Sequence, residues 1–275
     1  MRSAWLVLSR VGFYVFSALM AAFFALPMLW LLTAPFNPRA TLAVEPSWPP
    51  SLVNFQQVFG NTFAMRAFGN SVIQASGAMV GVTLIAMLAS YALSRTHLPW
   101  KEGALYGLIL FSSVVTGTAA MVPIFLLIFR LGLIDTHLGV IFVFMGGFLP
   151  SAIFILRDFM NSIPRSYEES ALVNGASSLR MFWDIVLPIT RPGMMVVAIY
   201  TFVNAWGTFL IPFILLRSPD KMPAATAIYS FYTEGGTPIL TLTSTYALLY
   251  TLPVLLLYLF VNWRYGFRFF GGIKQ

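Results

Sequence analysis

The sequence predicts an all-α membrane protein. It should have six transmembrane helices in a single domain over residues 1–275, with a helix-turn-helix loop at residues 163–192 between the fourth and fifth spans. Three observations predict it. The chain is 59% hydrophobic and only 9% charged, with a mean hydropathy of +0.82, whereas a soluble domain is near half apolar and about a quarter charged. Six stretches contain no Lys, Arg, Asp or Glu, namely residues 11–38, 67–94, 103–129, 136–156, 192–216 and 235–263. Each suffices for the roughly 20 residues that cross a bilayer as a helix. Finally, charge is concentrated in one interruption, where Arg165, Glu168, Glu169, Arg180, Asp184 and Arg191 fall between two apolar runs.

Composition also excludes chemistries. There is no cysteine, hence no disulfide, thiolate metal site or thiol catalysis. The only histidines are His97 and His137. The net charge of +7 is spread along the chain without a clustered basic face, so no nucleic-acid partner is expected. No G-x-x-x-x-G-K-[ST] loop and no H-E-x-x-H pair occurs, which leaves no phosphate cradle, no zinc-hydrolase site and no catalytic residue to name.

The first span follows Arg2 and Arg10 as a signal peptide would. It is too long for one, and Pro27-Met28-Leu29-Trp30 is a poor small-residue cleavage site, so a retained helix is expected. An even number of spans puts both termini on one side. Arg2, Arg10, Arg95, Lys101, Arg157, Arg165, Arg180, Arg191, Arg264, Arg268 and Lys274 lie on that side, against Arg39, Arg66, Arg130, Arg217 and Lys221 on the other. The positive-inside bias therefore assigns both termini and the 163–192 loop to the cytoplasm.

Between the first two spans, Pro35, Pro38, Pro46, Pro49 and Pro50 forbid a long helix. Leu52, Phe55, Val58 and Phe59 then recur at helical spacing, as on an interfacial helix. In the second span Gly77, Gly81, Ala86, Ala89 and Ala92 would let helices approach closely. His97, in the turn to the third span beside Arg95, Pro99 and Trp100, reads as solvated rather than as a proton relay. Pro123 should kink the third helix. Asp135 and His137, one residue apart in a tight external turn, make a poor metal site.

The fifth span holds Tyr200, Thr201, Asn204, Trp206 and Thr208. Uncharged polar groups at that depth need partners or a wet cavity. They either line a solute pathway, where rings and amides suit a sugar, or serve interhelical packing. Beyond it lies an external loop, residues 218–237, in which Gly235-Gly236 permits a sharp turn. The basic, aromatic tail from Asn262 to Gln275 suits the inner membrane face.

Within 163–192, Ser166 stands three residues before Glu169, a capping-box spacing. Glu168 and Glu169 sit in the first turn, where the helix dipole favours negative charge. Gly175 fits the left-handed residue closing a helix. Leu179, Phe182, Trp183 and Val186 give the second helix one apolar face, and Pro188 and Pro192 limit its length. Such a loop fits either a protein partner or the lipid headgroups.

Glu169-Ser170-Ala171, Gly175 and Ile185-x-Leu187-Pro188 resemble the EAA loop, E-A-A-x3-G-x9-I-x-L-P, of membrane subunits of ABC importers. Ser170 replaces the usual Ala, and Asn174 the common Asp before the glycine. Further likeness to the carbohydrate-uptake, maltose-type family lies in Asn54-Phe55-x3-Phe59 followed by Asn70-Ser71. It continues through Pro123, Gly132-Leu133, Asp135-Thr136, Leu149-Pro150, Phe159 and Ile163-Pro164, and into the Gly-x-Lys tail. Trp206-Gly207-Thr208 departs from the family's W-N-[DE].

The resemblance implies a permease subunit forming half of a translocation pore in a bacterial or archaeal plasma membrane. Its partners would be a second homologous permease subunit, two copies of a cytoplasmic ATPase subunit, an external solute-binding protein and the lipid bilayer. It implies no cofactor bound by this chain, with ATP and Mg used by the ATPase. The ATPase-coupling residues would be Glu168, Glu169, Ser170, Ala171, Gly175, Ile185, Leu187 and Pro188, and the substrate-pathway residues Tyr200, Asn204, Trp206 and Thr208. The solute would be a sugar or oligosaccharide; the alternative within the family is another solute such as a glycerol phosphodiester. An ion-coupled secondary carrier is the alternative from another class. It is disfavoured because no Asp or Glu lies at the centre of a span, although backbone carbonyls can coordinate ions.

Overall fold

A computed structural model describes residues 2–96, 99–115 and 120–265, and their regular structure is almost wholly helical. His97 and the last ten residues of the basic tail lie outside the described residues. The helices are α1 (Arg2–Thr33), α2 (Val53–Gly60), α3 (Thr62–Arg95), α4 (Lys101–Val115), α5 (Met121–Arg130), α6 (His137–Asn161), α7 (Ser166–Val173), α8 (Ser178–Met181), α9 (Leu187–Gly207), α10 (Leu210–Leu215), α11 (Ala224–Ala227) and α12 (Leu240–Tyr265). Among the described residues, five stretches of helix are long and apolar enough to cross a membrane. An all-helical answer follows from the solvent: hydrocarbon offers no partner to backbone N–H and C=O, and a helix satisfies them within itself.

The third expected span is delivered as two shorter helices, α4 and α5, with residues 116–119 outside the described residues. Pro123 does not kink a long helix; it stands in the first turn of α5, where its missing N–H leaves no bond unmade.

The helices group into two compact units. The first comprises Met1–Met65 and Ala227–Pro253. Here α1 presents Phe13, Tyr14, Phe23, Phe24 and Leu26 with more than half their surface uncovered. On α2, Asn54 and Val58 are buried against the protein, while Leu52 and Phe59 are exposed. The cause is the Asn54 amide, which donates to the carbonyls of Pro35 and Asn37, each at 3.0 Å. Two otherwise unpaired carbonyls beyond α1 are satisfied this way, which outweighs burying one more ring. Further on, Gly236 takes φ +76° and turns the chain back, with Thr233 N–H bonded to Thr237 O at 2.9 Å.

The second unit comprises Arg66–Thr226 and Val254–Gln275. At its centre is α6, half of whose spanning window is buried and whose start is capped by Thr136 Oγ accepting the Gly139 N–H at 3.0 Å. The small residues expected to permit close packing do so at two positions. A Cβ on Gly77 would lie 2.6 Å from the Ile141 side chain, and one on Gly81 2.7 Å from Met145. The two pairs repeat at four-residue spacing on both helices, so α3 and α6 meet along one ridge. The buried stripe of α3 is polar as well as small, with Asn70, Ser71, Gln74, Ser90 and Ser94 inside, while Val72, Ile73, Val80, Leu84 and Leu88 face out. Membrane helices tolerate this arrangement because lipid rewards burying polar groups that find partners, not apolar ones.

Candidate functional site

The interruption at 163–192 is built as two helical pieces around a turn. Ser166 opens α7 but caps nothing: Arg165 is the capping residue, already in helical conformation and without a side-chain capping bond. The N–H groups of Glu168 and Glu169 are taken by the Arg165 carbonyl, at 2.9 and 3.0 Å. The first turn thus closes on backbone, and the expected capping box does not form.

The other end of α7 behaves as expected. Gly175 adopts φ +81°, its N–H bonds Leu172 O and that of Ala176 bonds Ala171 O, each at 3.0 Å. These two bonds define the Schellman closure, which requires a left-handed residue that only glycine adopts without strain.

The second helix does not stop at Pro188 or Pro192. A π-helical stretch, Phe182–Val186, joins α8 to α9 and the chain runs on helically to Gly207. The Pro188 ring would strike the carbonyl four residues back and offers it no N–H; the widened turn, with Leu187 N–H bonding Phe182 O, absorbs that conflict. The extra residue also shifts the phase of the faces. Met181, Phe182 and Val186 are buried, whereas Leu179 and Trp183, expected on the same apolar face, are 70% and 56% exposed. Phe182 packs edge-on against Tyr91 of α3 at 5.2 Å.

The two glutamates part company. Glu169 is exposed with Ser170 and Gly175, and Ala171, Ile185, Leu187 and Pro188 are half-buried. Glu168 is instead the only buried side chain of α7. Its Oε1 accepts from Arg95 Nε at 2.6 Å and lies 2.6 Å from Nη2 of the same guanidinium. In the sequence Arg95 is one of the cytoplasmic-side charges; its partner is 73 residues away and invisible to any local pattern. The same end of α3 is tied further, by Ser94 Oγ to Asn161 Oδ1 at 2.7 Å and by Arg165 to Ser94 O at 3.3 Å. Nearby, Arg157 pairs with Glu102. Left uncovered within the loop are Tyr167, Leu172, Val173, Leu179 and Trp183, all at least half exposed.

The four fifth-span residues do not share a face. Trp206 is 2% exposed, stacked on Phe202 at 5.6 Å and tilted on Phe68 at 6.3 Å. Tyr200 is half-buried, edge-on to Phe148 at 6.2 Å. Asn204 is exposed and donates to Tyr200 O at 2.7 Å, while the half-buried Thr208 donates to Asn204 O at 2.6 Å. Asn204 and Thr208 thus remain with a polar side on the helix surface, and Trp206 belongs to packing.

Asp135 ties two segments of the chain together. It sits at φ +57° and its carboxylate collects the N–H groups of Arg217 and Ser218, the Ser218 hydroxyl and the Lys221 ammonium. The Ser218 hydroxyl, then Lys221, then the two backbone donors hold its pKa well below the usual carboxylate range. From the other side Asn70 donates to the carbonyls of Asp220 and Met222, at 2.7 and 3.0 Å, and Ser71 Oγ accepts the Ala224 N–H at 2.8 Å. The Asn70-Ser71 pair, noted in the sequence only as a resemblance, thus holds the loop after α10. Among the described residues no group of His, Asp and Glu could hold a metal ion.

Residues 81–267 match the family described as binding-protein-dependent transport system inner membrane component. The chain is 28% identical over 254 residues to a galactooligosaccharides transport system permease protein of Bacillus subtilis, covering 90% of this chain and 89% of that one. It is 26% identical over 258 residues to a maltodextrin transport system permease protein of the same organism, covering 93% and 92%. Among solved structures, it is similar to a bacterial ABC transporter involved in the import of the acidic polysaccharide alginate. The TM-score is 0.78 at 18% identity, over 94% of this chain and 96% of that chain.

Proposed function

Since this chain belongs to the family of inner membrane components of binding-protein-dependent transport systems, we propose that it is half of the translocation pore of an ATP-driven importer of a sugar or oligosaccharide. The observation that carries the reading is the set of exposed apolar side chains in the 163–192 loop. Five large apolar side chains there stand uncovered around a turn locked by Gly175, in a segment whose spacing is that of the EAA loop. The part of this surface on α7, Tyr167, Leu172 and Val173, precedes the spanning helix that begins at Ser178, and an apolar surface there fits a groove on another protein. The occupant is one copy of a cytoplasmic ATPase, with a second copy on the homologous permease subunit. Both termini and the loop then face the cytoplasm, as the Lys and Arg distribution favours. The relatives named for galactooligosaccharides and maltodextrin support a saccharide solute.

In this reading the chain contributes no catalytic group, and ATP with Mg is consumed by the partner. ATP binding brings the two ATPase subunits together, the docked loop moves with the surface it sits on, and the helices rock between outward and inward openings. Nucleotide can drive this only through unequal affinity for the two states. An external solute-binding protein delivers the solute, and Asn204 with Thr208 supply hydrogen-bonding groups on the fifth span.

The chain has no cysteine, so Ala171→Cys can be crosslinked without background to a cysteine in the cleft of the co-purifying ATPase. Crosslinking that depends on nucleotide, together with ATP hydrolysis stimulated by the binding protein loaded with a maltooligosaccharide, is the expected result. A preparation active in uptake with no ATPase attached would end the proposal.

A further inference from the structure

The helix α7 is fastened to the rest of its unit in an unusual way. Its one buried side chain is a charge, Glu168, and that charge is held by Arg95 at the last turn of α3. Both partners are largely withdrawn from solvent, with side chains 11% and 13% exposed. A buried ion pair returns little net stability, because desolvation offsets most of its attraction, yet removing one partner strands a charge. What it supplies is a single permitted geometry. Arg95 is itself oriented, giving one Nη to Ser94 Oγ at 3.3 Å and the other to Ile163 O at 3.4 Å.

At the far end of the same helix, Asn70, Ser71 and Gln74 hold the loop after α10, bonding Asp220 O, Met222 O, Ala224 N–H and Lys221 O. Between Asn70 and Arg95 the helix is unbroken and spans roughly 37 Å at the α-helical rise. Hydrogen-bonded helix is stiff along its axis, so a displacement applied at one end is felt at the other.

We propose that the Arg95–Glu168 ion pair is the joint between α7 and α3, and that α3 carries displacement of α7 to the external loop 220–224. Arg95 is thereby a positioning residue for the transport cycle. This inference rests on the transport reading above. Movement of α7 pulls on Glu168; the pair transmits it because its geometry is fixed at both ends; and Asn70 passes it into the loop. The outer face thus receives the nucleotide state of the inner one along one rod.

The test uses the whole complex with its own ATPase subunits. A single spin label is placed at Asp220→Cys, an exposed position, and its spectrum, which reports the mobility of the 220–224 loop, is read with and without ATP in a hydrolysis-deficient complex. The expected result is a nucleotide-dependent shift that Glu168→Arg abolishes and that Arg95→Glu with Glu168→Arg restores. Should Glu168→Arg fail to assemble, Glu168→Gln, which keeps the shape and removes the charge, must show the same loss. Retention of the full shift in Glu168→Gln, or no recovery in the assembled swap, overturns the joint while leaving the transport reading intact. A wild-type preparation that never binds an ATPase removes the transport reading itself.

Discussion

The carboxylate of Asp135 closes on Ser218 with both oxygens: Oδ1 accepts the Ser218 backbone N–H at 3.0 Å and Oδ2 its hydroxyl at 2.5 Å. With Lys221 Nζ also on Oδ2 at 2.9 Å, this residue ties the turn before α6 to the loop after α10. Its folded pKa is depressed, so the folded state binds fewer protons than the unfolded chain as the carboxylate titrates. The stabilisation is complete above the unfolded value near 3.9 and is lost as pH falls below it. Asp135→Asn should therefore cost about 1.5–3 kcal/mol at neutral pH, with a gap in melting temperature that narrows as pH drops below 4. An equal gap at pH 7 and pH 3 would remove the charge from this account.

Gly175→Pro cannot take the φ of +81° that closes α7, because proline holds φ near −65°. The protein should insert and bind its partner subunit, yet hydrolysis should no longer drive uptake in proteoliposomes. Normal uptake per ATP by this variant would contradict the role given to the loop.

Leucine at Gly77 or Gly81 should force α3 away from α6, at about 1–3 kcal/mol. The two sites differ in what they meet. Met145, opposite Gly81, has an unbranched, adaptable side chain, whereas Ile141, opposite Gly77, is stiff. Thermal unfolding in detergent should accordingly show Gly77→Leu as the more damaging change.

Trp206 and Asn204 should separate cleanly. Trp206→Ala opens a cavity beside Phe202 and Phe68 and should cost about 3 kcal/mol or more. Asn204→Ala removes an exposed amide bonded only to its own helix and should change stability by no more than about 0.5 kcal/mol. A change in the concentration dependence of uptake for Asn204→Ala alone would support its place on the solute path.

Much of the architecture was legible in the chain itself. Stretches without charge marked the long helices, because hydrocarbon excludes charge and accepts backbone only as helix. Gly175 announced its turn, because a left-handed residue closing a helix is a local requirement. At two positions local signals competed. Ser166 had the spacing of a cap but lost its donors to the Arg165 carbonyl, and Pro188 looked like a stop until a π-helical turn absorbed it.

The sequence by itself determined which segments can live in a bilayer, which loop stays polar and where that loop turns; each of these depends on solvation or on neighbours within a turn or two. Only the tertiary structure decided which polar side chains are anchors. Arg95 finds Glu168 across 73 residues, Asp135 finds Ser218 across 83 and Asn70 finds Asp220 across 150. The reason is physical: a charge or amide withdrawn even partly from water is defined by its partner, and the partner arrives only when the helices pack.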